Sequence, residues 1–588
     1  MHEFQRFLPF LRWFPMKGDT IRADLIAGIT VALVLIPQSM AYAQLAGLPP
    51  YYGLYAAFLP VLIAALWGSS SQLGTGPVAV VSLLTATAVT QFVPEIGSPE
   101  FISLAIMLAF LVGAFQLLLG IFRLGVVINF ISHPVIIGFT NAAALIIAFS
   151  QLSNIFGVTM HRSEHFLMDV WNVIMQIGNT HIPTLLFGIT AFTIIWFLKN
   201  QYPKVPGILI AVTATILISW LIDFQAMGGA IVGEIPKGLP SFAMPTFNMT
   251  IFWEMIISAM MISLIGFMEA ISIAKAMAAK TKERIDPNQE LIGQGLANIA
   301  GSISQAYPTS GSFSRSAVNL NAGAKTGMSS VYTAIIVMIT LLFLTPLLYH
   351  LPKAVLAAVI MMAVLGLINF KAIKHAWQIS KHDGIAAIVT FVTTLGFAPH
   401  MEKGILIGAG LSIALYLYQT MRPHVAILGR YEDGTLRDIQ IYPELPTNDK
   451  IIAIRFDGSL YFANVSYFED AILEAVSDKP SAKYILVVGD GINQLDASGE
   501  DVLHQLNERL RENDIILVFS GLKRKILNVL RQTGLMASIG ENNFHATEDM
   551  ALEYIYKQLG EESELEFNYC HLKPDEAKPR IIHVGLLK

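Results

Sequence analysis

A single arginine, Arg315, stands in the small polar stretch YPTSGSFSRSAVN (Tyr307–Asn319), between apolar runs long enough to cross a bilayer. Its planar guanidinium offers a fork of donors suited to an oxyanion. The hydroxyls of Ser310, Ser312 and Ser314 beside it can replace hydration that an anion loses. A second polar break, SSSQLGTGPVAVVSLLTATAV from Ser69, contains Thr75 and has the same form, a Ser/Gly/Thr/Pro-rich stretch running into a short helical segment. A half-helix that begins at mid-bilayer aims free backbone N–H groups and the positive end of its dipole at its surroundings, which favours an anion. An arginine near the end of a span also snorkels to the headgroups, and Gly/Ser patches also serve close helix packing. Two breaks of one form at matching places in two halves of a chain point instead to a transporter's binding site.

The stretch MISLIGFMEAISIAKAMAAK adds a carboxylate, Glu269, deep in an apolar segment. Intramembrane ionisable residues are costly and are functional candidates by default. Glu269 suits a group that takes up and releases a proton during transport, and it also suits a static counter-ion to Arg315. Lys275, six residues on, lies on another face near the end of the segment, where snorkelling accounts for it. Gln38 and Tyr42 are four apart and share a helix face, where an amide and a phenol can line a cavity or simply pack. His133, His181, His350, His375, His382 and His400 are scattered without metal-ligand pairing, and no nucleophile, phosphate-loop or dinucleotide signature is present. No metal, no cofactor and no enzymatic activity are expected.

Positioning such residues falls to a membrane-embedded frame. Of 588 residues, 54% are hydrophobic and only 14% charged, with mean hydropathy +0.57, far from soluble composition. The net charge of −5 and the lack of a long basic tract do not suggest a nucleic-acid partner, and none is expected. One cysteine, Cys570, rules out an intrachain disulfide. The first 20 residues have no apolar core with a small-residue cleavage site and read as a retained cytosolic or interfacial segment.

About fourteen spans are expected near 25–45, 50–67, 77–92, 101–121, 126–150, 183–198, 206–222, 254–279, 288–304, 311–323, 328–349, 351–369, 384–399 and 402–420. Basic residues gather in alternate connections: Arg6, Arg12, Lys17 and Arg22; Lys199 and Lys204; Lys275, Lys280, Lys282 and Arg284; Lys371, Lys374 and Lys381; and Arg422. That pattern predicts an even number of spans with both termini cytosolic. The transport region is expected over 21–423. From 435 to 560, IIAIRFDGSLYFANV, YILVVGD and DIILVFSG read as strands and SGEDVLHQLNERLREN, KRKILNVLRQTG and TEDMALEYIYKQLG as amphipathic helices, a small cytosolic α/β domain with a largely parallel sheet. The tail 561–588 carries no legible pattern.

DLIAGITVALVLIPQSMAYAQLAGLPPYYGLY, GFTNAAALIIAFSQL, EAISIAKAMA and DPNQELIGQGLANIAGSISQAYPTSGSFSRSAVN, in that order, resemble the sulfate permease family of anion transporters, and the C-terminal region resembles a STAS domain. The resemblance covers about residues 20 to 560. It implies fourteen segments in a 7+7 inverted repeat, a core and a gate domain with elevator-like movement, and a homodimer. It also implies substrate between the facing ends of the third and tenth segments. By motif position this assigns Gly76, Pro77, Val78 and Ala79, then Ser312, Phe313, Ser314 and Arg315, with Gln38 and Tyr42 from the first segment. Glu269 falls at the acidic position linked to proton coupling, which makes H+ the expected coupling ion ahead of Na+. Where related STAS domains accept phosphate on Ser or Thr directly after an Asp, LDASG has Ala497 after Asp496; Ser498 remains, and is expected to cap the following helix.

The expectation is therefore a secondary active transporter of small inorganic oxyanions in the bacterial inner membrane, in contact with lipid. Proton-coupled sulfate uptake comes first, and bicarbonate, chloride/bicarbonate or dicarboxylate transport is the alternative. The STAS domain is expected to dock a cytosolic protein or contribute to the dimer. A membrane-anchored sensor with a STAS output is the distant rival.

Overall fold

The structure is a computed structural model that describes residues 8–125, 132–160, 165–202, 205–431 and 435–560. Arg6, Lys204, the start of the fifth expected span (126–131), Cys570 and the tail 561–588 lie outside the described residues. The chain divides into two compact units, Met1–Ile413 and Ala414–Lys588.

In lipid every backbone polar group must be satisfied internally, so apolar runs of this length become helices. They are α1 (Gly18–Leu45), α2 (Tyr51–Trp67), α3 (Ala79–Thr90), α4 (Pro99–Ile121), α5 (His133–Phe156), α6 (Ile182–Gln201) and α7 (Gly207–Leu221). The second half repeats the series: α8 (Met249–Thr281), α9 (Pro287–Ile303), α10 (Phe313–Asn321), α11 (Met328–Leu348), α12 (Lys353–Leu365), α13 (Lys381–Gly396) and α14 (Met401–Met421). Eight of these regions, those of α1, α4, α5, α6, α8, α11, α12 and α14, are long and apolar enough to cross a membrane unaided. The third and tenth are short because part of each crossing is made by extended chain, the strands β1 (Gly74–Gly76) and β2 (Ser310–Ser312).

The two halves interleave. α9 packs on α4 and α2, α11 on α1, α8 on α4 and β2, and α10 on α1. Separately, α6 packs on α7 and α12, and α5 on α13 and α12. These packing groups correspond to the core (segments 1–4 with 8–11) and gate (5–7 with 12–14) that the resemblance implies, and α12 of the gate also packs on α1. A buried carboxylate fixes one core junction: Asp24 on α1 accepts from the Lys325 and Thr326 backbone N–H groups (2.7 and 3.1 Å) and from the Thr326 hydroxyl (2.6 Å).

α1 and α8 begin seven and five residues earlier than hydropathy alone indicates, α8 because the Asn248 side chain caps it by accepting from Thr250 N–H. Two amphipathic helices outside the fourteen were not anticipated, Phe166–Met175 and Phe370–Ile379. Outward faces are apolar: Ile182, Leu186, Trp196, Trp220 and Leu221 are more than half exposed, a surface that lipid must cover.

The second unit carries a six-stranded sheet in the order β4-β3-β5-β6-β7-β8. β3 (Val425–Arg430) and β4 (Leu436–Asp438) form an antiparallel edge, and β5 (Ile451–Phe456), β6 (Tyr484–Val488), β7 (Ile516–Ser520) and β8 (Phe544–His545) run parallel. Helices α15 (Val465–Asp478), α16 (Ala497–Arg511), α17 (Arg524–Thr533) and α18 (Glu548–Leu559) complete it. The stretch read as one strand from Ile451 to Val465 stops at Phe456. Asn464 accepts from Tyr461 N–H (3.1 Å) and donates to the Ser459 carbonyl (2.9 Å), closing a loop that starts α15 instead.

Partial burial works against ionisation of Asp457, but Arg455 (Nε–Oδ1 2.8 Å) and His424 (Nδ1–Oδ2 3.2 Å) more than offset it and hold this carboxyl below the ordinary aspartate value. A carboxyl depressed on folding stabilises the fold above its unfolded-state pKa and loses that contribution as pH falls through the folded one. Asp457→Asn is expected to destabilise the second unit by about 0.2–1 kcal/mol at neutral pH, as exposed pairs do. Denaturant titration should show the difference vanishing below about pH 4; a difference independent of pH would contradict this.

Candidate anion-binding site

The two polar breaks meet. β1 and β2 pair antiparallel, with Gly74 opposite Ser312, Thr75 opposite Gly311 and Gly76 opposite Ser310. Each strand leads into the N-terminus of a short helix, α3 after Val78 and α10 after Ser312, and neither cap residue satisfies the first turn with its side chain. Free N–H groups of two helices therefore converge on one region, which favours negative charge from both sides. Gly76 has φ +142°, a conformation that side chains rarely adopt, and a Cβ there would lie 3.3 Å from Arg315 Nη2. The pairing is further stitched by Ser316, whose hydroxyl accepts from Gly74 N–H (2.8 Å) and donates to the Ser312 carbonyl (2.7 Å).

Arg315 lies on the first turn of α10 and is fully buried. Its Nη2 reaches only the Gly74 carbonyl at 3.5 Å, and Nε and Nη1 have no partner. Leaving buried donors unpaired costs about 1–3 kcal/mol per group, so an oxyanion that accepts from them would be held strongly. Snorkelling is overturned for this arginine: the guanidinium is turned inward, against Gly74 and Gly76.

Other anticipated residues take different places. Gln38 and Tyr42 are buried on α1, and Gln38 Oε1 has no partner. Glu269 on α8 is half-buried, with Oε2 unpartnered. Tyr42, Glu269 and Arg315 lie close enough to interact electrostatically. Among the described residues, however, Glu269 and Arg315 form no direct ion pair, which disfavours a purely static counter-ion. Pro77, Val78 and Ala79 are buried at the α3 tip, whereas Phe313 and Ser314 are exposed at the α10 tip, and Ser312 bonds Ser314 (Oγ–Oγ 3.3 Å). Ser310 is committed elsewhere, donating to the Gly266 carbonyl on α8 at 2.6 Å. Ser498 does not cap α16: Asp496 does, accepting from Gly499 N–H at 2.8 Å while also holding Phe462 N–H at 2.9 Å. A carboxylate two residues earlier reaches both N–H groups and leaves Ser498 within the first turn.

What the sequence reading missed is the frame behind the tips. Glu290, Gln294 and Asn298 stand four apart on α9 and form a buried polar ladder. Glu290 Oε2 accepts from Ser69 N–H (2.9 Å), Ser69 Oγ–H (3.1 Å) and Ser70 N–H (3.2 Å). Gln294 donates to Glu290 Oε1 (3.1 Å) and to Thr75 Oγ1 (2.9 Å). Asn298 accepts from Thr309 N–H (2.7 Å) and donates to the Thr309 carbonyl (3.1 Å) and Gln116 Oε1 (3.0 Å). One helix thus fixes both tips, and the signal available was the E-x3-Q-x3-N spacing inside a weakly apolar span. Asn298→Ala strands the Thr309 N–H, at about 1–3 kcal/mol, and is expected to raise the KM for anion uptake about tenfold or more. An unchanged KM in concentration-dependent uptake would contradict this positioning role.

Two broken helices of an inverted repeat thus bracket an unpaired buried cation, a fold of membrane-carrier type with a candidate anion site. The chain belongs to the sulfate permease family: the Sulfate permease family profile matches residues 21–390 and the STAS domain profile residues 442–551. Probable sulfate transporter 4.2 of Arabidopsis thaliana is 38% identical over 543 residues, 89% of this chain and 79% of that one. Sulfate transporter 4.1, chloroplastic, of the same plant is 35% identical over 95% of this chain and 84% of its own length. A solved structure of SLC26A9 covers 95% of this chain with TM-score 0.88 at 24% identity, covering 94% of that chain, a likeness in fold.

Proposed function

We propose that this protein is a secondary active transporter that takes up sulfate together with protons. The observation that carries the reading is Arg315, fully buried between two helix N-termini with two of its three nitrogens unpartnered. Similarity to proteins named sulfate transporters over most of the chain supports sulfate as cargo. The anion sits between the α3 and α10 tips, held by their backbone N–H groups, Arg315, and the side chains of Gln38 and Tyr42. The core carries it past the gate. A divalent anion entering against an inside-negative potential works against about 4.6 kcal/mol per 100 mV, and co-moving protons offset that. Glu269, half-buried with one oxygen unpartnered, is the group proposed to carry the proton. The reading also takes the protein as a homodimer in the cell's inner (plasma) membrane, termini cytosolic, with the STAS domain docking a cytosolic partner. Uptake of radiolabelled sulfate into proteoliposomes should rise severalfold when the outside is made acidic. Uptake indifferent to the gradient would refute proton coupling, and absence of saturable sulfate uptake would refute the cargo.

A further inference from the structure

The face of the first unit that carries the basic connections holds a cavity of about 550 Å³, lined among others by Arg12, Lys17, Ser71, Glu283, Arg284 and Lys325. Every element that lines it belongs to the core: the segment before α1, α1 itself, the end of α2 with the α2–β1 connection, and the α8–α9 and α10–α11 connections. No gate segment contributes, so the cavity does not lie on the path between core and gate.

Its charge is unbalanced. Arg12, Lys17, Arg284 and Lys325 are exposed, and none forms an ion pair among the described residues. The one acidic side chain in the lining, Glu283, is already occupied, accepting from Ser71 Oγ–H (2.6 Å) and Ser71 N–H (3.3 Å). The walls are held in place. Trp13 packs onto Gly327 at the start of α11, Phe10 meets Trp67 with ring centroids 6.4 Å apart, and Asp24 fixes the backbone of Lys325. Four unpaired cations around a fixed concavity suit a phosphate group.

The rim supplies the second half of a ligand. From Lys17 the same face of α1 continues at four-residue steps through Ile21, Leu25 and Ile29, each 41–42% exposed. A cation at the membrane edge followed by an exposed aliphatic stripe matches a headgroup followed by acyl chain. We propose that this cavity is a binding site for the phosphate-bearing headgroup of an anionic phospholipid, seated on the core domain apart from the transported anion.

The test uses the full chain in neutral detergent with saturating sulfate, so that the transport site is occupied. Calorimetric titration compares short-chain phosphatidylglycerol, short-chain phosphatidylcholine and inorganic phosphate. The expected result is at least tenfold tighter binding of phosphatidylglycerol than of phosphatidylcholine. R284Q and K325Q, both at exposed positions and made singly and together, should each weaken it about fivefold, near 1 kcal/mol per basic residue. A K371Q/K374Q/K381Q variant, which removes charge outside the cavity, should bind as wild type does. Inorganic phosphate binding as tightly as the lipid, and lost in the same two variants, would keep the phosphate chemistry but overturn the lipid as its source. Equal binding of both lipids without phosphate binding, R284Q/K325Q that bind like wild type, or an equal loss in the control variant would overturn the site.

Discussion

Arg315→Ala is expected to abolish saturable sulfate uptake, lowering kcat/KM at least a hundredfold, while the protein stays folded. The two consequences have one cause. Removing one partner of a buried charge pair costs about 3–5 kcal/mol, a factor of roughly 10² to 10⁴, and here the partner lost is the cation that faces the bound anion. In the absence of anion, the guanidinium has one long bond to Gly74 and two unpartnered nitrogens. Deleting it relieves an unfavourable burial, so the melting temperature should hold or rise. Arg315→Lys should recover little, since a lysine supplies a point charge without the planar fork that spans two oxygens. The check is concentration-dependent uptake beside thermal unfolding of the same samples. A folded Arg315→Ala protein with near-normal uptake would remove this residue from the site.

The second large effect concerns coupling. Glu269→Gln keeps the shape of the side chain and removes its proton chemistry. Exchange of labelled for unlabelled sulfate across proteoliposomes needs only the loaded carrier and should persist. Accumulation driven by an imposed pH gradient should fall about tenfold or more, to the level without a gradient. Glu269 lies within electrostatic reach of Arg315 and Tyr42 without pairing to the arginine, so the substitution should leave anion affinity within a few-fold of wild type. Gradient-driven accumulation that survives in Glu269→Gln would place the proton elsewhere. Loss of exchange and accumulation together would make Glu269 part of the anion site itself.

Legibility in the sequence followed the physics of each signal. Long apolar runs and alternating basic connections marked the segments, because lipid leaves the backbone no alternative to helices. The Ser69 and Tyr307 stretches stood out as polar breaks of one form, and the antiparallel pairing of Gly74–Gly76 with Ser310–Ser312 is the contact that such breaks imply. Direction of side chains was beyond reach: nothing in SGSFSRS tells that Arg315 turns inward while Phe313 and Ser314 turn out, which depends on where α10 begins. The α9 ladder escaped because Glu290, Gln294 and Asn298 dilute the hydropathy of their span, and a polar helix face gains meaning only when its partners, 11 to 221 residues away, are known. In the STAS domain β5, β6 and β7 were legible as short, mostly apolar runs, whereas the two-residue β8 was not. The β3–β4 edge and α15 were not, since the loop around Asn464 is made by side-chain bonds rather than by turn residues.

Two helix tips and one arginine gathering an oxyanion is a statement about position, and selenate, a tetrahedral dianion with an anomalously scattering atom, reports position. In crystals of the full chain soaked with selenate, the account predicts one anomalous peak within hydrogen-bonding reach of Arg315 and the first-turn N–H groups of α3 and α10, lost in Arg315→Ala. A peak elsewhere in the core, or one at the tips that survives loss of Arg315 unchanged, would contradict it.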